Sequence, residues 1–281
     1  MSTIGVGIIT CNRPDYLKSL LETIPIDKID KLIIVNDGKP CPEVSLNVPS
    51  GGKYFWLDNP QNVGVAKSKN SAIKYLYDRK CDYIFIIEDD MLIKDENIFD
   101  MYIQASLKSG IQHFNYGPGS PFNRKQQIKD FDLHNRHLLD QHSEPNPRLI
   151  VDYGEGVKVA LYEHTVAMFS FFTRKVIEEV GYIDEDFPNC WEHVSHTYNI
   201  IKAGMHPPFW WFADIAESEK YLTEAPGAID NSAIAKDKTA WIENVRKGAE
   251  IYKNKHGHYP NQPPYTSKEQ VIQSLKTIKE K

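Results

Sequence analysis

Three adjacent carboxylates, Glu88, Asp89 and Asp90, directly follow the apolar run at residues 83–87. Such groups repel one another, and ending a buried strand with them is costly unless a cation or hydrogen bonds compensate. Oxygen ligands suit a hard divalent cation that keeps its remaining positions for water and phosphate. The segment therefore predicts a cation site for a diphosphate, although an isolated acidic triplet would equally fit a solvated turn.

Two further polar groups follow apolar runs in the same way. The residues Thr10 to Asn12 come after the run 4–10, and Asn36 to Gly38 come after the run 32–36. Ligands of open α/β sheets bind outside the carboxyl ends of the strands. We therefore expect these two strand ends and the acidic triplet to line one polar crevice.

The first hundred residues alternate short β-rich runs with helical patterns, which is typical of βαβ units. The pattern predicts strands at 4–10, 32–36, 54–57, 83–87, 149–153 and 157–163. It predicts helices at 14–24, 65–77, 173–180, 191–203 and 235–252. We expect an α/β fold with a Rossmann-like, mainly parallel sheet flanked by helices, followed by a small C-terminal helical extension.

Composition narrows the class of protein. The net charge is −5 and the isoelectric point is near 6.1, which argues against a generally basic nucleic-acid binder. From Pro226 onward, however, ten Lys and Arg face six Asp and Glu, which gives this part a charge of +4. No apolar run approaches the roughly 20 residues that span a bilayer, and the start lacks signal-peptide features, so a cytoplasmic protein is expected.

The order of these segments resembles the nucleotide-binding half of inverting family 2 glycosyltransferases with the GT-A fold. The matching segments are Thr10-x-Asn12-Arg13-Pro14, Ile34-Val35-Asn36-Asp37-Gly38, Asn59-x-x-Asn62-x-Gly64-x-Ala66, Glu88-Asp89-Asp90 and Trp191-Glu192-His193. Each piece alone is weak, so the specificity lies in their order and spacing. The resemblance implies a metal-dependent enzyme that moves a sugar from a nucleotide diphosphate sugar, of the UDP type, to an acceptor hydroxyl.

The resemblance also implies roles for individual residues of the donor site. Asp90 would be the direct ligand of Mn²⁺ or Mg²⁺, and Asp89 would contact the ribose or the sugar. Asp37 would accept hydrogen bonds from the base, typically uracil. The other implied donor-binding residues are those that border the nucleoside, Thr10, Asn12 and Arg13, and those near the phosphates or sugar, Gly64, Ala66 and Lys67.

The second site departs from the family pattern. The family has a Glu-Asp pair whose aspartate deprotonates the acceptor, whereas His193 occupies that position here, after Glu192. Either side chain could be the general base, and His193 could instead join Asp90 as a metal ligand. We favour Glu192 by a small margin, and direct attack with inversion ahead of retention.

The implied organisation is a catalytic domain at 1–225 and a basic helical extension at 226–281. Within the domain, residues 1–116 would bind the nucleotide sugar and residues 117–225 the acceptor. That acceptor could be a polysaccharide or other glycan, a protein, a small molecule or a hydroxylated base in DNA. A nucleotidyltransferase remains an alternative, although the first loop lacks the glycines that are usual in that class. An inactive nucleotide-sugar or carbohydrate-binding module is a second alternative.

Several other side chains admit a functional and a structural interpretation. His134, His137 and His142 have metal-like spacing, but surface histidines are expected because the acidic triplet offers a better site. His164 and His206 could reach the crevice. The pair Trp210-Trp211 is predicted to lie in a strand that packs on the core, with stacking against an acceptor ring as the alternative.

Overall fold

The computed structural model describes residues 2–45, 52–126, 140, 142–228, 231–232 and 237–280. Its strands are β1 (Ile4–Thr10), β2 (Lys31–Asn36), β3 (Tyr54–Asp58), β4 (Tyr83–Glu88), β5 (Met91–Ile93), β6 (His113–Asn115), β7 (Leu149–Asp152), β8 (Lys158–Tyr162), β9 (Phe169–Thr173), β10 (Phe212–Ile215) and β11 (Leu222–Glu224). Its helices are α1 (Pro14–Thr23), α2 (Pro42–Ser45), α3 (Val65–Asp78), α4 (Ile98–Ser109), α5 (Arg174–Glu179), α6 (Glu192–Lys202), α7 (Lys238–His256) and α8 (Lys268–Lys279).

A central sheet has the strand order β3-β2-β1-β4-β9-β6. Strands β1 to β4 run parallel to one another, whereas β9 is antiparallel to both β4 and β6. The register pairs Thr10 with Asn36 and Ile9 with Glu88, so the carboxyl ends of β2, β1 and β4 lie side by side. The predicted mainly parallel sheet is confirmed.

Both faces of the central sheet are buried, because alternate side chains of a strand point to opposite sides. Ile8 and Ile34 belong to an apolar cluster that includes α1 and α4. Ile9 and Ile33 belong to a second cluster that includes α3, α5 and α6. Burial on both faces explains why the strands are nearly continuous apolar runs rather than alternating ones.

The C-terminal extension packs onto the rest of the fold. Helix α8 buries Leu275 and Ile278 in the same cluster as α4, and α7 buries Tyr252 beside Phe209. Helix α7 begins three residues and ends four residues later than predicted, and residues 235 and 236 lie outside the described part of the chain. No helix among the described residues is long and apolar enough to cross a membrane.

The Trp210-Trp211 pair precedes a strand instead of lying in it, since β10 begins at Phe212. Trp211 is buried, and its indole N–H donates to the carbonyl of Thr266 at 3.0 Å. The indole N–H of Trp210 donates to the carbonyl of Pro263 at 2.9 Å. Both rings therefore anchor the segment between α7 and α8, which supports the core interpretation.

A second sheet has the strand order β10-β8-β7. A buried carboxylate on β10 connects this sheet to helix α4. Asp214 is fully buried and accepts hydrogen bonds from the hydroxyls of Tyr102 and Ser218, each at 2.5 Å. It also accepts hydrogen bonds from the backbone N–H groups of Gly117 and Ile215, each at 2.8 Å. Four donors converge on one group, so the network is satisfied only by an acceptor at this position.

Replacing Asp214 with asparagine is expected to lower the free energy of unfolding by about 3 kcal/mol, because the new amide group points donors at donors. Urea denaturation measures the loss. The matched control is Asp152→Asn, since the side chain of Asp152 on β7 is 60% exposed and the change there should cost under about 0.5 kcal/mol. Equal losses in the two variants would show that the network around Asp214 contributes nothing.

Candidate active site

The acidic triplet lies at the carboxyl end of β4, beside the carboxyl ends of β1 and β2. Glu88 is the last residue of β4, and Asp89 and Asp90 follow in a turn. Asp89 is fully buried and accepts a hydrogen bond from the hydroxyl of Thr10 at 2.6 Å. Thr10 therefore supports the acidic turn directly from the end of β1.

Arg13 neutralises two of the three carboxylates at once. One guanidinium nitrogen binds Asp89, and another binds Oδ2 of Asp90 at 2.7 Å. Burial raises the pKa of Asp89 to about 7, although the charge of Arg13 and the hydroxyl of Thr10 oppose the shift. Burial and the charge of Glu88 raise the pKa of Asp90. Arg13, expected to border the nucleoside, is thus the internal counter-ion of the triplet.

One oxygen of this cluster has no partner. Oδ1 of Asp90 is buried and makes no hydrogen bond. A buried, unpartnered carboxylate oxygen fits a hard cation, because oxygen is the ligand that Mg²⁺ and Ca²⁺ prefer. The described residues contain no group of three or more His, Cys, Asp or Glu side chains that could hold a metal, so His193 does not complete a protein cage with Asp90. A cation at Asp90 would take its other ligands from water and phosphate.

Asp37 follows β2 and holds the loop in front of α3. Its Oδ1 accepts hydrogen bonds from the side chain of Asn59 and the backbone N–H of Val63, both at 2.8 Å. Its Oδ2 accepts one from the backbone N–H of Gly64 at 2.9 Å. The residue predicted to contact the base is therefore also the group that fixes the loop 59–64.

The loop before α3 is in contact with the second half of the chain. Gly64 has a φ of +92°, and a Cβ added there would lie 2.9 Å from Oδ1 of Asn189. The same oxygen accepts a hydrogen bond from the backbone N–H of Val65 at 2.8 Å. Gly64 was predicted to let the donor approach the backbone, and in the structure it is the side chain of Asn189 that approaches it. Lys67, in the first turn of α3, is exposed.

Asn12, which follows β1, makes a hydrogen bond that supports the loop conformation. It adopts a φ of +55°, and its side-chain oxygen accepts a hydrogen bond from the backbone N–H of Lys39 at 2.8 Å. This contact ties the loop after β1 to the loop after β2. Of the residues predicted to border the nucleoside, Thr10 and Asn12 therefore brace the edge of the crevice.

Lys69 is a site residue that the sequence analysis missed. Its side chain is 2% exposed, and Nζ binds Glu88 at 2.7 Å and the carbonyl of Ala167 at 2.9 Å. A lysine is rarely buried without such partners. The signal was present in the helical pattern, because Lys69 lies three residues from both Ala66 and Ala72 and so belongs to the buried stripe of α3.

Glu192 and His193 begin α6 and lie close to this lysine. The side chain of Glu192 is 5% exposed and its Oε2 has no hydrogen-bond partner, whereas His193 is 25% exposed. Nδ1 of His193 is 3.4 Å from Oε1 of Glu192. Burial alone would raise the pKa of Glu192, but the hydrogen bond and charge of His193 and the charge of Lys69 lower it to about 2.

A small cavity lies beneath His193. His113, His196 and Thr197 line it together with Lys69. Its volume is about 10 Å³, which is room for one water molecule. Burial lowers the pKa of His196 to about 4, so this histidine is neutral near pH 7. The cavity lies between the central sheet and α6, where apolar Ile86 and Phe172 also line it.

The remaining histidines have structural positions. His206 is 2% exposed, with hydrogen bonds to the carbonyl of Pro207 and the N–H of Ala213, so it does not reach the crevice. His164 is half-buried beside the ring of Phe122. His142 is exposed, as expected for a surface histidine, and His134 and His137 lie outside the described residues.

The order of motifs and the fold converge on one family. Residues 5–153, more than half of the chain, match the sequence profile of glycosyl transferase family 2. The chain belongs to this family. The match covers the whole acidic site of this glycosyltransferase and ends before α6 and α7. The predicted enzyme class and the resemblance are confirmed.

A relative and two solved structures agree with this assignment. An uncharacterized glycosyltransferase of Acanthamoeba polyphaga mimivirus is 26% identical over 235 residues, which cover 83% of this chain and 81% of the relative. The mannosyltransferase PcManGT of Pyrobaculum calidifontis, solved with GDP-Man and Mn²⁺, superposes with a TM-score of 0.53 at 11% identity and covers 98% of this chain and 69% of its own. S. aureus TarS, solved as residues 1–349 with UDP, gives 0.50 at 12% identity and covers 90% and 71%. This glycosyltransferase therefore has the GT-A fold.

Proposed function

We propose that this glycosyltransferase takes its sugar from a UDP-type nucleotide sugar with Mn²⁺ or Mg²⁺ and transfers it with inversion to an acceptor hydroxyl. The observation that carries the proposal is the buried, unpartnered Oδ1 of Asp90 at the carboxyl edge of the sheet. The neighbours of the same fold that were solved with GDP-Man and Mn²⁺, and with UDP, support a nucleotide donor and a divalent cation. When bound, such a cation would neutralise charge that develops on the leaving diphosphate.

In this proposal the donor lies across the ends of β1, β2 and β4. Oδ2 of Asp37 accepts one hydrogen bond from Gly64, which leaves that oxygen capacity for an N–H of the base. Lys67 is exposed at the start of α3, where its ammonium group can face a phosphate or the sugar. Asp89, expected to contact the ribose or the sugar, is fully buried with its two oxygens bound to Thr10 and Arg13, so we assign it the support of the acidic turn instead. Arg13 would hold the acidic turn in shape while the donor is absent.

We assign the general base to His193 and its orientation to Glu192. The side chain of His193 is 25% exposed whereas that of Glu192 is 5% exposed, so the imidazole is the more accessible of the two to an acceptor hydroxyl. With the Nδ1–H of His193 donating a hydrogen bond to Oε1 of Glu192, Nε2 carries the lone pair that takes the acceptor proton. The acceptor oxygen then attacks the anomeric carbon, the bond from that carbon to the phosphate oxygen breaks, and the nucleoside diphosphate leaves.

Three consecutive segments of the chain have different roles in this proposal. We propose that residues 1–116 bind the donor, that residues 117–225 supply the acceptor side and the base, and that residues 226–281 form an extension. Asp37 and Asp90 lie in the first part, and His193 lies in the second. Lys69 links them, because it binds Glu88 while its charge acts on Glu192.

We propose a neutral acceptor, a glycan or a small molecule rather than a hydroxylated base in DNA, because two basic side chains of the extension are already paired with carboxylates. Lys255 forms ion pairs with Asp184 at 2.7 Å and Asp186 at 2.8 Å. Lys247 pairs with Glu243, also at 2.8 Å. Cations that are paired within the chain contribute less to the counterion release that drives binding of a polyanion.

The test is a panel of UDP, GDP and dTDP sugars incubated with the enzyme and MnCl₂ without an added acceptor. We expect slow release of UDP from a UDP-sugar, and we expect EDTA to stop it. Release of pyrophosphate instead would identify a nucleotidyltransferase. Binding of a nucleotide sugar with no release under any condition would identify an inactive binding module.

A further inference from the structure

Glu192 and the proposed general base His193 are preceded by a residue in a strained backbone conformation. Trp191, the residue before α6, has a φ of +70°, in the left-handed region that disfavours bulky side chains. Such a conformation persists only where the surrounding structure holds it. Because Glu192 and His193 follow at once, whatever holds Trp191 also sets the direction of their side chains.

Helix α7 of the extension holds Trp191 at two points. The indole N–H of Trp191 donates to the backbone carbonyl of Val245 at 2.9 Å. One turn along α7, a Cβ added to Gly248 would lie 2.8 Å from both the carbonyl oxygen of Cys190 and Cδ1 of Trp191. The absence of a side chain at Gly248 therefore lets the two segments touch.

Two further contacts extend this docking to either side of Trp191. After it, the hydroxyl of Ser195 lies 2.8 Å from Nε2 of His256, the last residue of α7. Before it, Lys255 forms the ion pairs with Asp184 and Asp186 already described. Helix α7 thus contacts the chain before, at and after the start of α6.

We infer that α7 is a positioning element of the active site, acting through Trp191 on Glu192 and His193, and that Gly248 is the residue that permits this contact. The inference rests on the proposed assignment of the base. Its physical basis is that a base must lie within hydrogen-bond reach of the proton it takes, so a displacement of about 1 Å can lower the rate by about a hundredfold.

The test variant is Gly248→Ala. In an isolated helix alanine is more favourable than glycine, so helix propensity alone predicts a tighter α7. A Cβ at this position cannot fit, so we expect α7 to move away from Trp191. In turnover of a UDP-sugar, kcat should fall by about tenfold or more, while KM for the donor and UDP affinity in MnCl₂ stay within about twofold.

A second variant and a control separate positioning from general stability. Trp191→Phe keeps a ring but removes the hydrogen bond to Val245, and we expect the same split between kcat and KM. The control is Lys247→Ala, next to Gly248 but with an exposed side chain paired only to Glu243 within the described residues, which should match the wild type.

Hydrogen–deuterium exchange gives a readout that does not depend on activity. In Gly248→Ala the amides of residues 191–196 should exchange faster, since the N–H of Ser195 is bonded to the carbonyl of Trp191, while α3 stays protected. Unchanged kcat and unchanged exchange at 191–196 in both variants would overturn the inference. If His193→Ala keeps wild-type kcat, the assignment of the base fails, while the exchange result still decides whether α7 holds the start of α6.

Discussion

Replacing Asp90 with alanine is expected to lower kcat by at least about a thousandfold, since loss of a cation at the diphosphate removes several kcal/mol of transition-state stabilisation. Neither neighbouring carboxylate of the triplet can replace it. Asp89 is fully buried and bound to Thr10 and Arg13, and Glu88 is paired with Lys69. Release of UDP from a UDP-sugar in MnCl₂ measures the effect.

The same variant should keep its fold. The pKa of Asp90 is raised in the folded protein, so its ionised form is less favourable there than in the unfolded chain, and it opposes folding above its unfolded pKa. Removing it at pH 7 should leave the free energy of unfolding unchanged or slightly higher. Asp152→Asn, far along β7, serves as the carboxylate control and should retain full activity. An active Asp90→Ala enzyme would remove the cation from the account.

Replacing His193 with alanine is expected to lower kcat by about a hundredfold to ten-thousandfold, the usual contribution of a general base, with little change in KM for the donor. The reason is that 25% of the His193 side chain is exposed while Glu192 beside it is nearly buried. Steady-state kinetics with the donor identified by the nucleotide-sugar panel measures both constants.

Two companion variants distinguish the roles of the pair. His193→Asp returns the residue that the family resemblance implies at this position and should recover part of the lost kcat. Glu192→Gln removes the orienting charge and should cost less than His193→Ala. A larger loss for Glu192→Gln than for His193→Ala would exchange the two roles. A drop in Mn²⁺ affinity with His193→Ala would instead make this histidine a metal ligand.

Much of the fold and the acidic edge could be predicted, because both depend on local patterns. Strands buried on both faces read as continuous apolar runs, and polar residues follow them where the sheet ends, as at Asp37 and Asp90. Helix boundaries moved by a few residues, as at α7, since propensity is weak at the ends of elements.

The contacts that shape the site could not be predicted, because they join residues far apart in the chain. Arg13 contacts the triplet about 76 positions away, and Asn189 reaches α3 over a separation of 124. The sequence around Gly248 gives no reason for a glycine inside a helix, and only the packing of α7 against Trp191 explains this residue. Lys69 was the exception, as its place in the buried stripe of α3 was visible in the sequence.

The most direct test of the central claim is a titration of Mn²⁺ into the protein with and without UDP, followed by the electron paramagnetic resonance signal of free Mn²⁺. Because Asp90 offers one unpartnered oxygen and the described residues form no metal cage, we expect Mn²⁺ to bind weakly to the protein alone and tightly in the presence of UDP. Asp90→Asn should abolish the UDP-dependent part. UDP binding that is equally tight in EDTA, or Mn²⁺ binding that is unaffected by UDP and by Asp90→Asn, would contradict it.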